Sequence, residues 1–176
     1  DLSHIASIAK DGVLILCSDS TYAETSGYSE SESLVKDSFS RIMMNSQDRL
    51  IVATFASLIS RIQAIIDLAY QYDRNVSVMG RSMVRNLKIA QSTGHIKDPH
   101  AVVKPISEIN KLPPHKAVII GTGSQGEINS FISKLSNQTH PEVNVSSHDT
   151  IIISSSSYSP SNSSIAFEIS SASRIA

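Results

Sequence analysis

Five short apolar runs, rich in valine and isoleucine, recur along the chain and are separated by polar segments. Each run is almost continuously hydrophobic, which is typical of strands that are buried on both faces of a parallel sheet. We therefore predict five strands, at Val13–Cys17, Leu50–Ala53, Val76–Met79, Ala117–Ile120 and Thr150–Ile153.

Between most of these runs, apolar residues recur three and four positions apart, which is the spacing of one face of an α-helix. The predicted helices are Glu32–Met44, Leu58–Tyr72, Met83–Gln91 and Ile128–Leu135. Alternation of strands and helices indicates βαβ units. We therefore predict an α/β fold with a parallel, doubly wound, Rossmann-like sheet.

Two segments depart from this alternation. Residues His95–Pro114 contain four prolines and are predicted to be a connection, with one helical turn around Ile106–Asn110. The serine-rich stretch Ser154–Ser164 directly follows the last predicted strand. Its composition fits either a flexible linker or an ordered loop beside a site.

Composition sets limits on the kind of protein and its partners. The chain has 176 residues, is 40% hydrophobic and carries a net charge of −1, so any binding site for anions must be local. No apolar run approaches the ~18–20 residues of a membrane span, and the start lacks the features of a signal peptide. The single cysteine, Cys17, is predicted to be buried in the first strand, and a cytoplasmic protein is expected.

Each predicted strand ends in a polar segment, and parallel strands place these segments on one edge of the sheet. The segments begin with Ser18-Asp19-Ser20-Thr21 after the first strand, and GTGSQGE follows the fourth. Backbone amides, hydroxyls and Arg81 at such an edge suit phosphate. The alternative is structural, because serine also caps helices; Ser57, Ser82 and Ser124 could each be caps.

Other chemistries find little support. The six histidines show no metal-binding spacing, and GTGSQGE is neither a Walker A motif nor a complete G-x-G-x-x-G motif. No G-x-S-x-G elbow indicates a serine nucleophile. A nucleotide-binding α/β domain, with no relation to RNA, remains a possible interpretation on fold logic alone.

Taken in order, the polar segments resemble the ribonuclease J family of metallo-β-lactamase nucleases that carry a β-CASP domain. The resemblance covers nearly the whole chain, through the segments GVLILCSDSTYAETSGYSESE, IVATFASLISRIQAII, NVSVMGRSMVRN, VIIGTGSQGE and DTIIISSSSYSPSN. It implies that residues 1–30 form an edge of the metallo-β-lactamase domain, residues 31–153 the β-CASP domain, and residues 154–176 a return segment.

The resemblance also implies an activity for the whole protein. Members are zinc-dependent hydrolases with two zinc ions, acting as 5′-to-3′ exonucleases and as endonucleases in RNA processing and decay. The expected partners are RNA, with a 5′-monophosphate end, and other subunits in a homo-oligomer or a hetero-oligomer with a paralogue. The modest number of basic residues on the rim leads us to expect a modest salt dependence of RNA binding.

Residue roles carry over by motif. Asp19 matches a carboxylate that supports a catalytic histidine without binding zinc. The predicted RNA- or phosphate-binding residues are Ser20, Thr21, Ser57, Gly80, Arg81, Ser82, Gly123, Ser124, Gln125, Gly126, Glu127, Ser155 and Ser156. Ser124 is also expected to cap the following helix, and the glycines of GTGSQGE are expected to let the backbone approach RNA.

Several family features are absent or altered. The zinc-ligand motifs, H-x-H-x-D-H among them, fall outside these residues, so we expect the isolated chain to bind no catalytic zinc and to cleave no RNA. Tyr22 and Leu58 stand where the family usually has asparagine, and PGNE is replaced by Pro160–Ser163. These departures favour a second interpretation, a non-catalytic scaffold subunit.

Overall fold

The protein is described from a computed structural model, which covers residues 2–17, 20, 24, 26, 31–124, 129–154 and 169–171. The helices are α1 (Leu2–Ala9), α2 (Glu32–Asn45), α3 (Ile59–Gln71), α4 (Arg81–Ser92), α5 (Ile106–Ile109) and α6 (Phe131–Ser136). The strands are β1 (Leu50–Ala53), β2 (Asn75–Val78), β3 (Ala117–Gly121), β4 (Thr150–Ile153) and β5 (Ile169–Ser171). A 3-10 turn over Pro114–Lys116 precedes β3.

The strands form one sheet in the order β2-β3-β1-β4-β5. Strands β1 to β4 are parallel, whereas β5 pairs antiparallel with β4 at one edge. The predicted α/β class with a parallel sheet is therefore confirmed. The bounds predicted for β1 and β4 coincide with those of the structure, because both runs are apolar and lie between neighbouring strands.

The first predicted strand, Val13–Cys17, was wrong. These residues form no strand, and Leu14 and Leu16 are 97% and 83% exposed. Cys17 is also exposed, which contradicts the expected burial. The physical reason is the absence of a partner strand among the described residues. An apolar run with β propensity still needs a neighbour to pair its backbone groups and cover its side chains.

The sheet carries one apolar core on each face. On the first face, α2, α3 and α4 cover side chains such as Leu50 and Val52 of β1. On the second face, α5 and α6 cover Ile51 and Ile119. Alternate residues of β1 thus serve opposite cores, as the pleat requires. The predicted turn around Ile106–Asn110 is confirmed as α5.

Elements outside this core were not predicted. Neither α1 nor β5 has a counterpart in the hydrophobic pattern. Helix α6 begins at Phe131, after the predicted start at Ile128, because Asn129 adopts a left-handed conformation with φ of 64°. Within the described residues, no helix is both long and apolar enough to cross a membrane.

Candidate functional site

The loops after the four parallel strands meet on one edge of the sheet, which we call the rim. Backbone hydrogen bonds continue beyond the strands and fix these loops. The amide of Thr54 donates to the Gly121 carbonyl (3.0 Å), and the amide of Ser154 donates to the Ala53 carbonyl (2.8 Å). The amide of Met79 donates to a carbonyl of β3 (2.7 Å). The predicted gathering of loops at the carboxyl ends of the strands is therefore present for β1 to β4.

A crevice is expected between β1 and β3, because the helices that follow these adjacent strands leave toward opposite faces. Helix α3 packs on the first face and α6 on the second. Where neighbouring connections diverge in this way, open α/β sheets bind their ligands. The rim therefore has a topological switch point at Thr54 and at the loop that begins with Thr122.

Two buried hydroxyl groups at this switch point have no hydrogen-bond partner within the described part of the chain. Thr54 is 0% exposed and Ser124 is 8% exposed, and their side-chain oxygens are both unpaired. A buried polar group without a partner costs about 1–3 kcal/mol. The hydroxyls of Thr54 and Ser124 therefore keep unused hydrogen-bonding capacity at the switch point, although neither oxygen is exposed to solvent in this structure.

The segment after β2 brings the predicted residues Gly80, Arg81 and Ser82 to the same rim. Gly80 has φ of 95° and is the N-cap of α4, with no side chain to accept a hydrogen bond from the first helical turn. A Cβ atom at Gly80 would lie 3.2 Å from Oγ1 of Thr122, so the loops after β2 and β3 are in contact. Arg81 and Ser82 are exposed at the start of the helix.

Two side chains fasten the other loops to this assembly. The amide of Asn86 on α4 donates to the carbonyl of Ala56, which follows β1 (2.9 Å). Arg61 on α3 is buried, and its Nη1 atom donates to both the carbonyl oxygen and Oγ of Ser154 (each 3.1 Å). Arg61 also pairs with the carboxylate of Glu32 on α2. The loops after β1 and β4 are therefore held by side chains of α3 and α4.

Capping does not explain the predicted serines. The N-caps of α3, α4 and α6 are Leu58, Gly80 and Ser130, so none of Ser57, Ser82 and Ser124 is an N-cap. The expectation that Ser124 caps the following helix was wrong. The hydroxyl of Ser130 accepts from the amide of Ser133 (3.2 Å) in that role, because the left-handed Asn129 delays the helix.

The glycines of the loop after β3 are explained by packing. A Cβ atom at Gly121 would lie 2.5 Å from Cγ of Phe131, and one at Gly123 would lie 2.5 Å from Oγ of Ser130. Both contacts are far shorter than van der Waals separation. Gly121 and Gly123 therefore allow α6 to approach the sheet, and their presence does not by itself indicate RNA. Phosphate contact by Gly123 stays a prediction.

The remaining predicted site residues lie either apart from the rim or outside the described part of the chain. Ser20 is exposed, and within the described ranges it forms no hydrogen bond with the rim. The remaining residues lie outside the part that the structure describes: Asp19, Thr21, Gln125, Gly126, Glu127, Ser155 and Ser156. Over the described ranges, no three His, Cys, Asp or Glu side chains gather in a way that could hold a metal ion. The described residues therefore offer no set of donors that fits zinc.

Sequence reasoning overlooked Thr54 and Thr122 as site residues. Ser57, which was chosen from the loop after β1, is exposed, whereas Thr54 is fully buried and unpaired. The available signal was position, since Thr54 and Thr122 each directly follow the last residue of a strand. The first residue after a parallel strand lies deepest in the crevice of a switch point.

The fold and the rim define a class of protein. A doubly wound α/β domain with unpaired hydroxyls at its switch point, and with an uncapped helix start on the same rim, is a domain suited to binding anionic ligands. The model of the ribonuclease J β-CASP domain matches residues 47–171. The chain belongs to this family.

Curated relatives support the same assignment. The chain is 40% identical over 156 residues to ribonuclease J of Mycolicibacterium smegmatis, covering 89% of the chain and 28% of the relative. It is 38% identical over 154 residues to ribonuclease J of Synechocystis (88% and 24%), and 37% identical over 155 residues to ribonuclease J2 of Bacillus subtilis (88% and 28%). The chain thus spans about a quarter of the length of these relatives.

Proposed function

We propose that this chain is the RNA-binding β-CASP part of a zinc-dependent ribonuclease. The observation that carries the proposal is the pair of buried, unpaired hydroxyls of Thr54 and Ser124 at the switch point of a β-CASP sheet. Hydroxyls and free amides at such a rim recognise phosphate oxygens without reading bases. In this proposal, zinc and its ligands belong to the rest of the protein, in the cytoplasm, and the isolated chain cleaves nothing.

The rim would hold phosphates near a 5′-monophosphate end of the RNA. Arg81 stands exposed at the start of α4, beside amides that no side chain caps. An arginine at a helix N-terminus combines a bidentate donor with the favourable end of the helix dipole. The predicted supporting role of Asp19 belongs to this proposal, as do RNA contacts by Ser57, Gly80 and Ser82.

The test uses the complete protein. RNA decay is measured with and without zinc or manganese, on substrates with a 5′-monophosphate or a 5′-hydroxyl, for the wild type and for Arg81→Ala and Asp19→Ala. We expect metal-dependent decay that favours the monophosphate, loss of that preference in Arg81→Ala, and strong loss of decay in Asp19→Ala. No preference in the wild type, and no change in Arg81→Ala, would contradict the phosphate role of the rim.

A second candidate is a non-catalytic scaffold subunit of a ribonuclease J complex. The structure gives one observation in its favour. Leu58 occupies the N-cap position of α3, and its side chain cannot accept a hydrogen bond from the first helical turn. The family usually has asparagine here, which is a strong N-cap residue. The start of α3 therefore lacks the side-chain cap that an asparagine could supply. Metal-independent binding of RNA by the complete protein, with no decay under any metal, would favour the scaffold.

A further inference from the structure

An open groove of about 1260 Å³ runs from the rim along the outer side of β2. The floor of the groove includes β2 residues such as Ser77 and Val78, and the end at the rim includes Gly80 and Thr122. Helix α4, which belongs to the first face of the sheet, forms one wall. The other wall comes from residues 103–106 and from α6 with the segment that follows it. We call this feature the α4 groove.

Five cationic side chains line the α4 groove: Arg81, Arg85, Lys88, Lys104 and Lys134. The three on α4 are spaced by four and three residues, so they form one stripe about 10 Å long on the helix surface. Lys104 and Lys134 reach the same groove from distant parts of the sequence. None of the five side chains is paired with a carboxylate within the described residues.

The carboxylates that line the groove offset only part of this charge, and none of them forms an ion pair with the five cations. The two carboxylate oxygens of Asp98 accept hydrogen bonds from the backbone amides of Val102 (2.7 Å) and Val103 (2.9 Å). Glu142 is the other carboxylate that lines the groove. Among the described residues, a chain with a net charge of −1 therefore concentrates five cations against two carboxylates in one open channel. Grooves of this kind attract an anionic polymer.

We infer that the α4 groove extends the RNA-binding site of the rim and holds the backbone of a single-stranded segment that continues beyond it. The inference rests on the proposed function, since RNA at the rim is the nearest anionic chain. Lysine and arginine side chains in an open channel position phosphates without reading sequence. Single-stranded RNA fits better than a duplex, because the cations lie along one channel that an extended strand can follow.

The charge distribution changes the expected salt dependence. Contacts by all five cations correspond to a slope of about −3.5 in log K against log salt for a single strand. Affinity should then fall about 130-fold between about 50 and 200 mM salt. This slope is steeper than the modest dependence expected from the few basic residues on the rim, because the cations of the groove are added to the contacts.

The test measures binding of a fluorescent oligoribonucleotide of about 20 nucleotides to the 176-residue chain across that salt range. The variant Arg85→Gln/Lys88→Gln removes two charges from exposed positions of α4. The matched control Lys36→Gln/Arg41→Gln removes two charges from exposed positions of α2 that do not line the groove. We expect the slope to weaken by about 1.4 in the groove variant, so that affinity falls only about 20-fold across the range. The control should keep the wild-type slope.

The outcomes separate this inference from the proposed function. RNA binding by the wild type with equal slopes in both variants would overturn the α4 groove and leave the rim intact. No RNA binding by the wild type would refute both. A third outcome is that polyglutamate binds the wild type but not the groove variant, while the two proteins bind RNA equally well. The groove would then be a site for an acidic peptide, which also overturns the inference.

Discussion

Replacing Gly121 by alanine should destabilise the domain, although alanine is normally the better residue inside an element. Gly121 ends β3 with an ordinary φ, so a glycine-to-alanine change in open space would stabilise by about 0.5–1 kcal/mol. Here the new Cβ atom would lie 2.5 Å from Cγ and 2.9 Å from Cβ of Phe131. Carbon atoms prefer about 3.5–4.0 Å, so the ring must retreat by about 1 Å or more.

The magnitude follows from the burial of Phe131, which is 3% exposed in the second core. Overpacking a core costs about 1–3 kcal/mol, and complete loss of a buried phenylalanine costs about 3–5 kcal/mol. Since the ring is displaced but not removed, we expect Gly121→Ala to lower the free energy of unfolding by about 3 kcal/mol. That is a large fraction of the roughly 5–15 kcal/mol of a typical domain.

The assay is urea unfolding followed by circular dichroism, with a double-mutant cycle in the Phe131→Ala background. Without the ring, the cost of alanine at position 121 should become much smaller, and only the contact of 2.9 Å with the Cβ atom at position 131 remains to be relieved. Gly94→Ala serves as the control, because Gly94 has φ of 74° and open space around it, so only a conformational cost of about 1–2 kcal/mol applies. Equal effects of Gly121→Ala in both backgrounds would refute the packing role of this glycine.

Three further outcomes are expected. Thr54→Val should stabilise the free chain by about 1 kcal/mol and weaken RNA binding, because it removes a buried unpaired hydroxyl and keeps the shape of the side chain. A lower free energy of unfolding in urea would contradict this prediction. Leu58→Asn should raise the free energy of unfolding by about 1 kcal/mol through a restored N-cap, and an unchanged urea midpoint would count against it. Burial lowers the pKa of His140 from its ordinary value of 6.5. The Nδ1 atom of His140 accepts hydrogen bonds from the backbone amides of Glu142 and Val143. The imidazole ring therefore binds a proton more weakly in the folded state than in the unfolded chain. The free energy of unfolding should therefore fall as the pH drops below about 6.5. The variant His140→Asn keeps a hydrogen-bond acceptor in its side-chain oxygen and should show a smaller fall. If urea unfolding gives the wild type and the variant the same dependence on pH, another group is responsible.

The success of sequence reasoning depended on how locally each feature is determined. The bounds of β1 and β4 were predictable because both faces of these strands are buried, which leaves a continuous apolar run. The run Val13–Cys17 has the same character and forms no strand, because pairing depends on a partner and not on the run itself. The start of α6 was missed since the left-handed φ of Asn129 leaves no mark in the hydrophobic pattern.

The site shows the same limit. The order of polar segments was enough to predict a rim, because parallel strands align their carboxyl ends. It could not distinguish Thr54, which is buried and unpaired, from Ser57, which is exposed, because burial of a side chain in a loop depends on the tertiary packing around it. The stripe on α4 follows from helical spacing, but Lys104 and Lys134 join it only through the tertiary fold.

The most direct test of RNA binding at the rim is a map of the RNA footprint. Amide chemical shifts of the 176-residue chain are measured with and without a 5′-monophosphorylated oligoribonucleotide. We expect the largest changes at Thr54, Gly80–Ser82 and Thr122–Ser124, with further changes along α4 toward Lys88. Changes confined to the opposite edge of the sheet, around Arg49 and Asp149, or no changes at all, would contradict it.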